Sequence, residues 1–218
     1  MPHSGTANTM RIVCISDTHS MHRQIQVPEG DLLIHAGDSL GVGTLDELED
    51  LDLWFSELPH RNKILIAGNH DWCFQDEPAE ARELVRHAHY LQDSPLELEG
   101  LTFWGSPWTP VFFNWAFNLE RGDAIAERWA RIPEDTDVLI THGPPANILD
   151  MIDSPTGIVR PGCEALAERI ARLSLKLHIF GHIHEGYGQA QIGNSLFVNA
   201  STCTGRFQPL NPPIVIDL

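Results

Sequence analysis

Short, almost wholly apolar runs alternate along the chain with longer stretches whose apolar positions recur at helical spacing. Residues 11–16 (RIVCIS), 31–36 (DLLIHA), 63–67 (KILIA), 138–141 (VLIT) and 177–180 (LHIF) read as buried strands. Residues 46–58 carry a helical pattern, and 78–89 carry another that opens on Pro78, a residue suited to a first turn. Residues 96–104 alternate around Gly100 and predict a hairpin. A short helix is expected at 120–131, a long loop with Pro and Gly at 143–162, and a helix at 163–173; strands and turns then alternate up to the closing PIVIDL. Strand–helix–strand order implies parallel pairing early, and the hairpins come late. The expected fold is α/β: a mixed two-sheet β-sandwich flanked by helices. Residues 11–218 read as a single domain, with residues 1–10 (MPHSGTANTM) as a loose polar leader.

Composition narrows the function classes. No apolar run approaches the ~18 residues of a membrane span, and the leader lacks the apolar stretch of a signal peptide. Thirty acidic against 14 basic residues give a formal charge of −16. Such a surface repels long polyanions and argues against tight non-specific nucleic-acid binding. The cysteines, Cys14, Cys73, Cys163 and Cys203, form no C-x-x-C pair and are expected as free thiols in a cytoplasmic setting.

The chemistry collects where the strands end. RIVCIS runs into Asp17-Thr18-His19, DLLIHA into Gly37-Asp38, KILIA into Gly68-Asn69-His70-Asp71, VLIT into His142-Gly143, and LHIF into Gly181-His182-Ile183-His184. Sites in α/β sheets form beyond the carboxyl ends of strands, so five strands deliver acids, an amide and imidazoles to one edge. Any one of these motifs is weak alone; the ordered set is not. Carboxylate, imidazole and amide oxygen suit Mn²⁺, Fe or Zn²⁺ rather than a thiolate zinc or an all-oxygen Ca²⁺ site. There are too many donors for one ion, and a shared carboxylate suits two ions ~3.5–4 Å apart.

D-x-H, G-D, G-N-H-[DE], an isolated H-G and G-H-x-H, in that order, resemble the calcineurin-like metallophosphoesterase superfamily. GSPWTPVFFNWAFN at 105–118, THGPPANILD at 141–150, FGHIHEGYG at 180–188 and NASTCTGRFQPLNPP at 199–213 are similar to its MPPED-type branch, related to class III cyclic-nucleotide phosphodiesterases. The resemblance implies the superfamily's α/β/β/α fold. It implies one metal held by Asp17, His19, Asp38 and His184, and a second held by Asp38, Asn69, His142 and His182, with Asp38 bridging. It implies a metal-bridging hydroxide as nucleophile, and His70 near the phosphate as general acid or transition-state stabiliser rather than as ligand.

The sequence also departs from that pattern. Many superfamily members read G-D-x-x-D-R where this chain reads GDSLGVG, so the acid that orients the histidine and the phosphate-holding arginine are both missing. A phosphodiester, with one negative charge fewer than a monoester, tolerates that loss better. The expected activity is therefore a metal-dependent hydrolase of small phosphodiesters, cyclic nucleotides among them. Two readings stay open beside it. One is a phosphomonoesterase or nucleotide-pyrophosphate hydrolase on the same metal core, and the other a nucleotide-holding regulatory protein with negligible turnover. Asn114, Asn118 and His22 are candidate substrate contacts, Arg206 a candidate phosphate contact. The aromatic 105–118 segment reads either as a packed cap or as a stacking wall beside the metals. His35 and His178 are expected as buried packing groups, His60 at the surface.

Overall fold

The computed structural model describes residues 9–218, so the expected leader falls outside the described residues except for Thr9 and Met10. In chain order the elements are β1 (Arg11–Ile15), β2 (Leu32–Ala36), α1 (Leu45–Glu57), β3 (Asn62–Ile66), α2 (Cys73–Asp76), α3 (Pro78–Leu84), β4 (His89–Tyr90), β5 (Ser94–Leu98), β6 (Leu101–Ser106), β7 (Thr109–Pro110), β8 (Asn118–Leu119), α4 (Asp123–Trp129), β9 (Val138–Thr141), β10 (Ile152–Ser154), β11 (Gly157–Val159), α5 (Glu164–Ile170), β12 (Leu177–Phe180), β13 (Gly188–Ile192), β14 (Ser195–Asn199) and β15 (Ile214–Asp217).

Two mixed sheets pack face to face. The first has the order β15-β1-β2-β3-β4 and the second β13-β14-β12-β9-β6-β5. β1 to β4 pair in parallel, with β15 antiparallel at the edge. Met10, at the end of the expected leader, extends that edge by exchanging backbone hydrogen bonds of 2.8 and 3.0 Å with Leu218. The second sheet is parallel at its centre as well, β6-β9-β12-β14, with antiparallel hairpin strands at its two edges. Parallel pairing is therefore not confined to the early strands. The connections β6 to β9 and β9 to β12 carry α4 and α5, and such crossovers return the chain in the same direction.

The alternation along each strand decides the layers. Ile12, Cys14, Ile34 and Ile64 on the inner face of the first sheet meet Phe103, Ile140, Ile179 and Val198 of the second in one dry core. The opposite face of the first sheet, with Val13, Leu33 and Leu65, is covered by Leu48, Leu51 and Phe55 of α1 and by Phe74. The opposite face of the second, with Leu139 and Phe180, is covered by Ile125 and Trp129 of α4 and Leu166 of α5. The result is the four-layer α/β/β/α arrangement.

Local chemistry sets the ends. α1 starts at a capping box in which Thr44 Oγ1 accepts from the Glu47 amide and the Glu47 carboxylate accepts from the Thr44 amide. α3 stops short of the expected 89 because Asp52 takes the amides of Arg86 (2.8 Å) and His87 (2.9 Å), diverting that backbone from the helix. The 143–162 loop contains the β10–β11 hairpin. His60, expected at the surface, is buried and donates Nε2–H to the Pro28 carbonyl at 3.0 Å.

Candidate active site

The five strand ends converge. Asp17 follows β1, Asp38 follows β2, Asn69 and His70 follow β3, His142 follows β9, and His182 and His184 follow β12. Several get there by left-handed turns: Asp17 (φ 53°), His19 (43°), Asp38 (51°) and His182 (68°) are non-glycine residues at positive φ. Such backbone is strained by about 1–3 kcal/mol per residue and persists where the surroundings over-determine it. At Gly68 a Cβ would strike both the backbone amide and the Oδ1 of Asp38, so glycine lets the two turns nest.

The donor atoms form overlapping groups, each within 4.8 Å: Asp17, His19 and His184; His19, Asp38 and His70; Asp38, His142 and His182. Asp38 belongs to two of them, with its Oδ1 3.3 Å from His142 Nε2. Asn69 Oδ1 lies 3.0 Å from the same nitrogen, and His184 Nε2 lies 3.4 Å from Asp17 Oδ1. His19 Nε2 and His184 Nε2 face each other at 3.4 Å, so a proton or a cation must stand between their lone pairs. The donor set fits divalent ions.

Backbone carbonyls fix the imidazoles. His142 Nδ1 donates to Ala36 O (3.0 Å), His184 Nδ1 to Thr204 O (2.9 Å) and His70 Nδ1 to Gly41 O (2.8 Å). A carbonyl only accepts, so each Nδ1 carries a proton and each Nε2 is the nitrogen left for the site. His182 takes a different support: its amide donates to both Asp17 oxygens at 3.1 and 3.0 Å. Ser201 Oγ lies 2.8 Å from Asp17 Oδ2.

Electrostatics follow this geometry. Burial would push His142 down from 6.5, but the carboxylates of Asp38 and Asp17 override it and hold it at about 9. His184 is likewise held at about 9 against burial, by Asp17 first. Burial resists the charge on Asp38, yet His142 keeps its carboxyl well below the usual range. His182 is pushed down to about 4 by burial and by neighbouring His142.

Asp71 does not orient His70. Its buried carboxylate accepts from the amides of Gly68 (2.7 Å) and Leu40 (2.9 Å) and from the Ser39 amide and hydroxyl (3.3 and 3.2 Å), tying the turns after β2 and β3 together. Burial, with the Asp38 charge second, raises it to about 7. The position at which the wider motif carries its second acid is Gly41, and a backbone carbonyl meets His70 there instead.

A cavity of about 310 Å³ opens beside the cluster. It is lined by the polar His19, Asp38, Asn69, His70, His182 and His184 and by the apolar Val111, Phe112, Trp115, Ile152 and Phe207. Trp115 stacks on His70 with ring centroids 4.3 Å apart and planes at 25°. The aromatic segment therefore divides: Val111, Phe112 and Trp115 face the cavity, while Phe117 is buried in the core with Trp108 packed against that cluster. Asn114 is exposed and does not line the cavity, and Asn118 braces the loop by donating to Phe112 O and Phe113 O. His22 turns away, its Nε2 3.1 Å from Asp50 and its ring against Trp54. Arg206 is exposed, and the next residue, Phe207, reaches the cavity instead. Trp115, Phe207 and Arg121 are lining residues that the strand-end pattern does not signal. The aromatic density at 105–118 marks the loop without marking which ring turns inward.

His35 and His178 are buried packing groups with a further contact. Their Nε2 atoms lie 2.9 Å from the hydroxyls of Thr18 and Thr141 respectively, the neighbours of ligand-type residues in each sheet.

This fold, with such donors at its strand ends, defines a metallophosphoesterase. The chain belongs to the calcineurin-like phosphoesterase family, whose profile matches residues 10–186. It is 44% identical over 232 aligned residues to human metallophosphoesterase domain-containing protein 1, covering 95% of this chain and 71% of that protein. A UPF0046 protein of Caenorhabditis elegans is 37% identical over 98% of the chain and 77% of its own length. In fold it is similar to the phosphopantetheinyl hydrolase of Mycobacterium tuberculosis, with a TM-score of 0.65 at 17% identity, covering 98% and 97% of the two chains. As a family member the protein is a metal-dependent phosphoesterase acting on small phosphate esters. No helix among its described residues is long and apolar enough to cross a membrane.

Proposed function

We propose that the protein is a phosphodiesterase of small diesters, cyclic nucleotides among them, that works with two divalent ions, manganese, iron or zinc. One would be held by Asp17, His19, Asp38 and His184, the other by Asp38, Asn69, His142 and His182. Bound there, the ions supply positive charge to the phosphoryl oxygens and acidify water. His70, as the imidazolium with its Nδ1–H on Gly41 O, would give its Nε2 proton to the leaving oxygen, releasing the alcohol and leaving a neutral imidazole still protonated at Nδ1. Four free, buried cysteines support a reducing compartment, the cytoplasm.

The single observation that carries the diester reading is the cavity's charge. Among the described residues Arg121 is the only lysine or arginine that lines it, and that guanidinium is engaged by Glu164 and by the carbonyls of Gly162 (2.9 Å) and Pro161 (2.6 Å). No free fixed cation among the described residues waits for the second charge of a monoester, and the apolar lining leaves room for an ester group. The test is a panel of bis-aryl, cyclic-nucleotide and monoester substrates under Mn²⁺, Fe²⁺ and Zn²⁺. Diesters are expected to be preferred in kcat/KM; faster monoester turnover would overturn the reading.

A further inference from the structure

The loop that carries the Gly41 carbonyl has little regular structure, yet it is heavily organised. The Glu47 carboxylate gathers its backbone. Oε1 accepts from the Gly41 amide at 3.2 Å, Oε2 from those of Val42 (3.1 Å), Gly43 (2.8 Å) and Thr44 (3.1 Å). Ser20 joins the cluster, donating its hydroxyl to Glu47 Oε1 at 3.0 Å and accepting from the Gly41 amide at 2.9 Å. A Cβ on Gly41 would stand 2.8 Å from Glu47 Oε1, so a side chain there would push the carboxylate aside. A capping box needs one of these bonds, that to Thr44. The others go to the three residues before it, and the first of those presents its carbonyl to His70 Nδ1.

We propose that Glu47 is a positioning residue for His70. By folding residues 41–44 around its carboxylate, it aims the Gly41 carbonyl at Nδ1 and so points Nε2 at the leaving oxygen. Two side chains outside the ligand set, Glu47 and Ser20, thus support the proton donor through backbone alone. A carbonyl accepts the Nδ1 proton both while His70 is the imidazolium that donates from Nε2 and after it has become neutral, so the same bond serves before and after proton transfer. A neutral acceptor also leaves the charge of the dinuclear centre unchanged, where a carboxylate beside His70 would add a negative charge near an anionic substrate.

The inference rests on His70 acting as proton donor in diester cleavage, and the test separates the two. Full-length, metal-loaded protein is assayed on methyl aryl phosphodiesters whose leaving groups run from 4-nitrophenol to phenol. A proton donor matters most for the poor leaving group. Glu47→Ala is expected to lose about tenfold in kcat on the phenyl ester, the range for outer-sphere supports. On the nitrophenyl ester the loss is about twofold or less, with KM little changed. Ser20→Ala, a milder variant, moves in the same direction by less, and serves if Glu47→Ala folds poorly. Thr44→Ala removes the other half of the helix cap and is expected to lower the melting temperature similarly without changing the leaving-group dependence. In ¹⁵N-histidine NMR spectra, the Nδ1–H signal assigned to His70 by comparison with His70→Asn should shift in Glu47→Ala and stay in Thr44→Ala. Equal losses on both esters, a Thr44→Ala that reproduces the selectivity, or an unmoved His70 signal would overturn the assignment of Glu47. Absence of diester turnover in the unsubstituted protein would instead overturn the proposed function.

Discussion

Asp38 and His142 meet 3.3 Å apart across the seam between the sheets, one at the end of β2 and the other at the end of β9. Asp38 is also the carboxylate within reach of His19 and His70, so it links the two ends of the donor cluster. Asp38→Ala should therefore lower metal stoichiometry and cut kcat by on the order of 10³-fold, several kcal/mol of transition-state charge stabilisation. Elemental analysis of the purified variant alongside steady-state kinetics checks both; full activity with full metal content would refute the bridge.

The histidines held high make metal loading pH-dependent. His142 and His184 lie at about 9 in the chain alone, above the ordinary 6.5. A folded value above the unfolded one adds stability that is fully present below about pH 6.5 and is lost as pH rises through about 9. Chelator-treated protein should thus lose melting temperature between pH 6.5 and 9. Binding needs neutral imidazoles, so metal uptake at pH 7 should release protons. Calorimetry in buffers of differing ionisation enthalpy reads that release, and its absence would contradict the charge state.

Trp115 both stacks on His70 and lines the cavity. Truncating Trp115 to Ala removes a stacked pair worth ~0.5–1.5 kcal/mol beyond area. We expect KM for bis-aryl diesters to rise about two- to tenfold, with a smaller change for a methyl aryl diester, whose second group is small. Parallel kinetics on the two substrates decides whether this wall holds an ester group.

The paired Thr–His contacts behind the ligand turns should matter for stability and for metal affinity. Thr18 Oγ1 can donate to Ser39 O (3.1 Å) and Thr141 Oγ1 to Gly143 O (2.8 Å), which makes His35 and His178 the donors through Nε2. Their buried Nδ1 atoms, without a partner among the described residues, are then bare acceptors. Burial pushes both histidines down to about 3, so they stay neutral. His35→Leu should cost about 1–3 kcal/mol in denaturant unfolding and weaken metal binding, while His35→Gln, which keeps an amide donor, should recover part of both.

The strand ends were legible because a strand that stops places its next residues at the sheet edge, whatever the tertiary detail. Asp17, Asp38 and His142 could be read that way. The parallel centre of the second sheet could not, since a fully buried strand has the same apolar pattern in either direction. The β10–β11 hairpin gave no signal, being short and largely exposed. The partner of His70 was illegible for a deeper reason: it is the Gly41 carbonyl, and a backbone acceptor carries no letter of its own. Phe207 stood in a turn-rich stretch where nothing local tells an inward ring from an outward one.

Two of the three donor groups draw on both sheets, Asp17 and His19 with His184 and Asp38 with His142 and His182, while His19, Asp38 and His70 all follow strands of the first. Neither sheet can assemble those two groups by itself. The affinity for metal held there would therefore also be an adhesion energy between the sheets, and a chelator should loosen the whole sandwich rather than merely silence its edge.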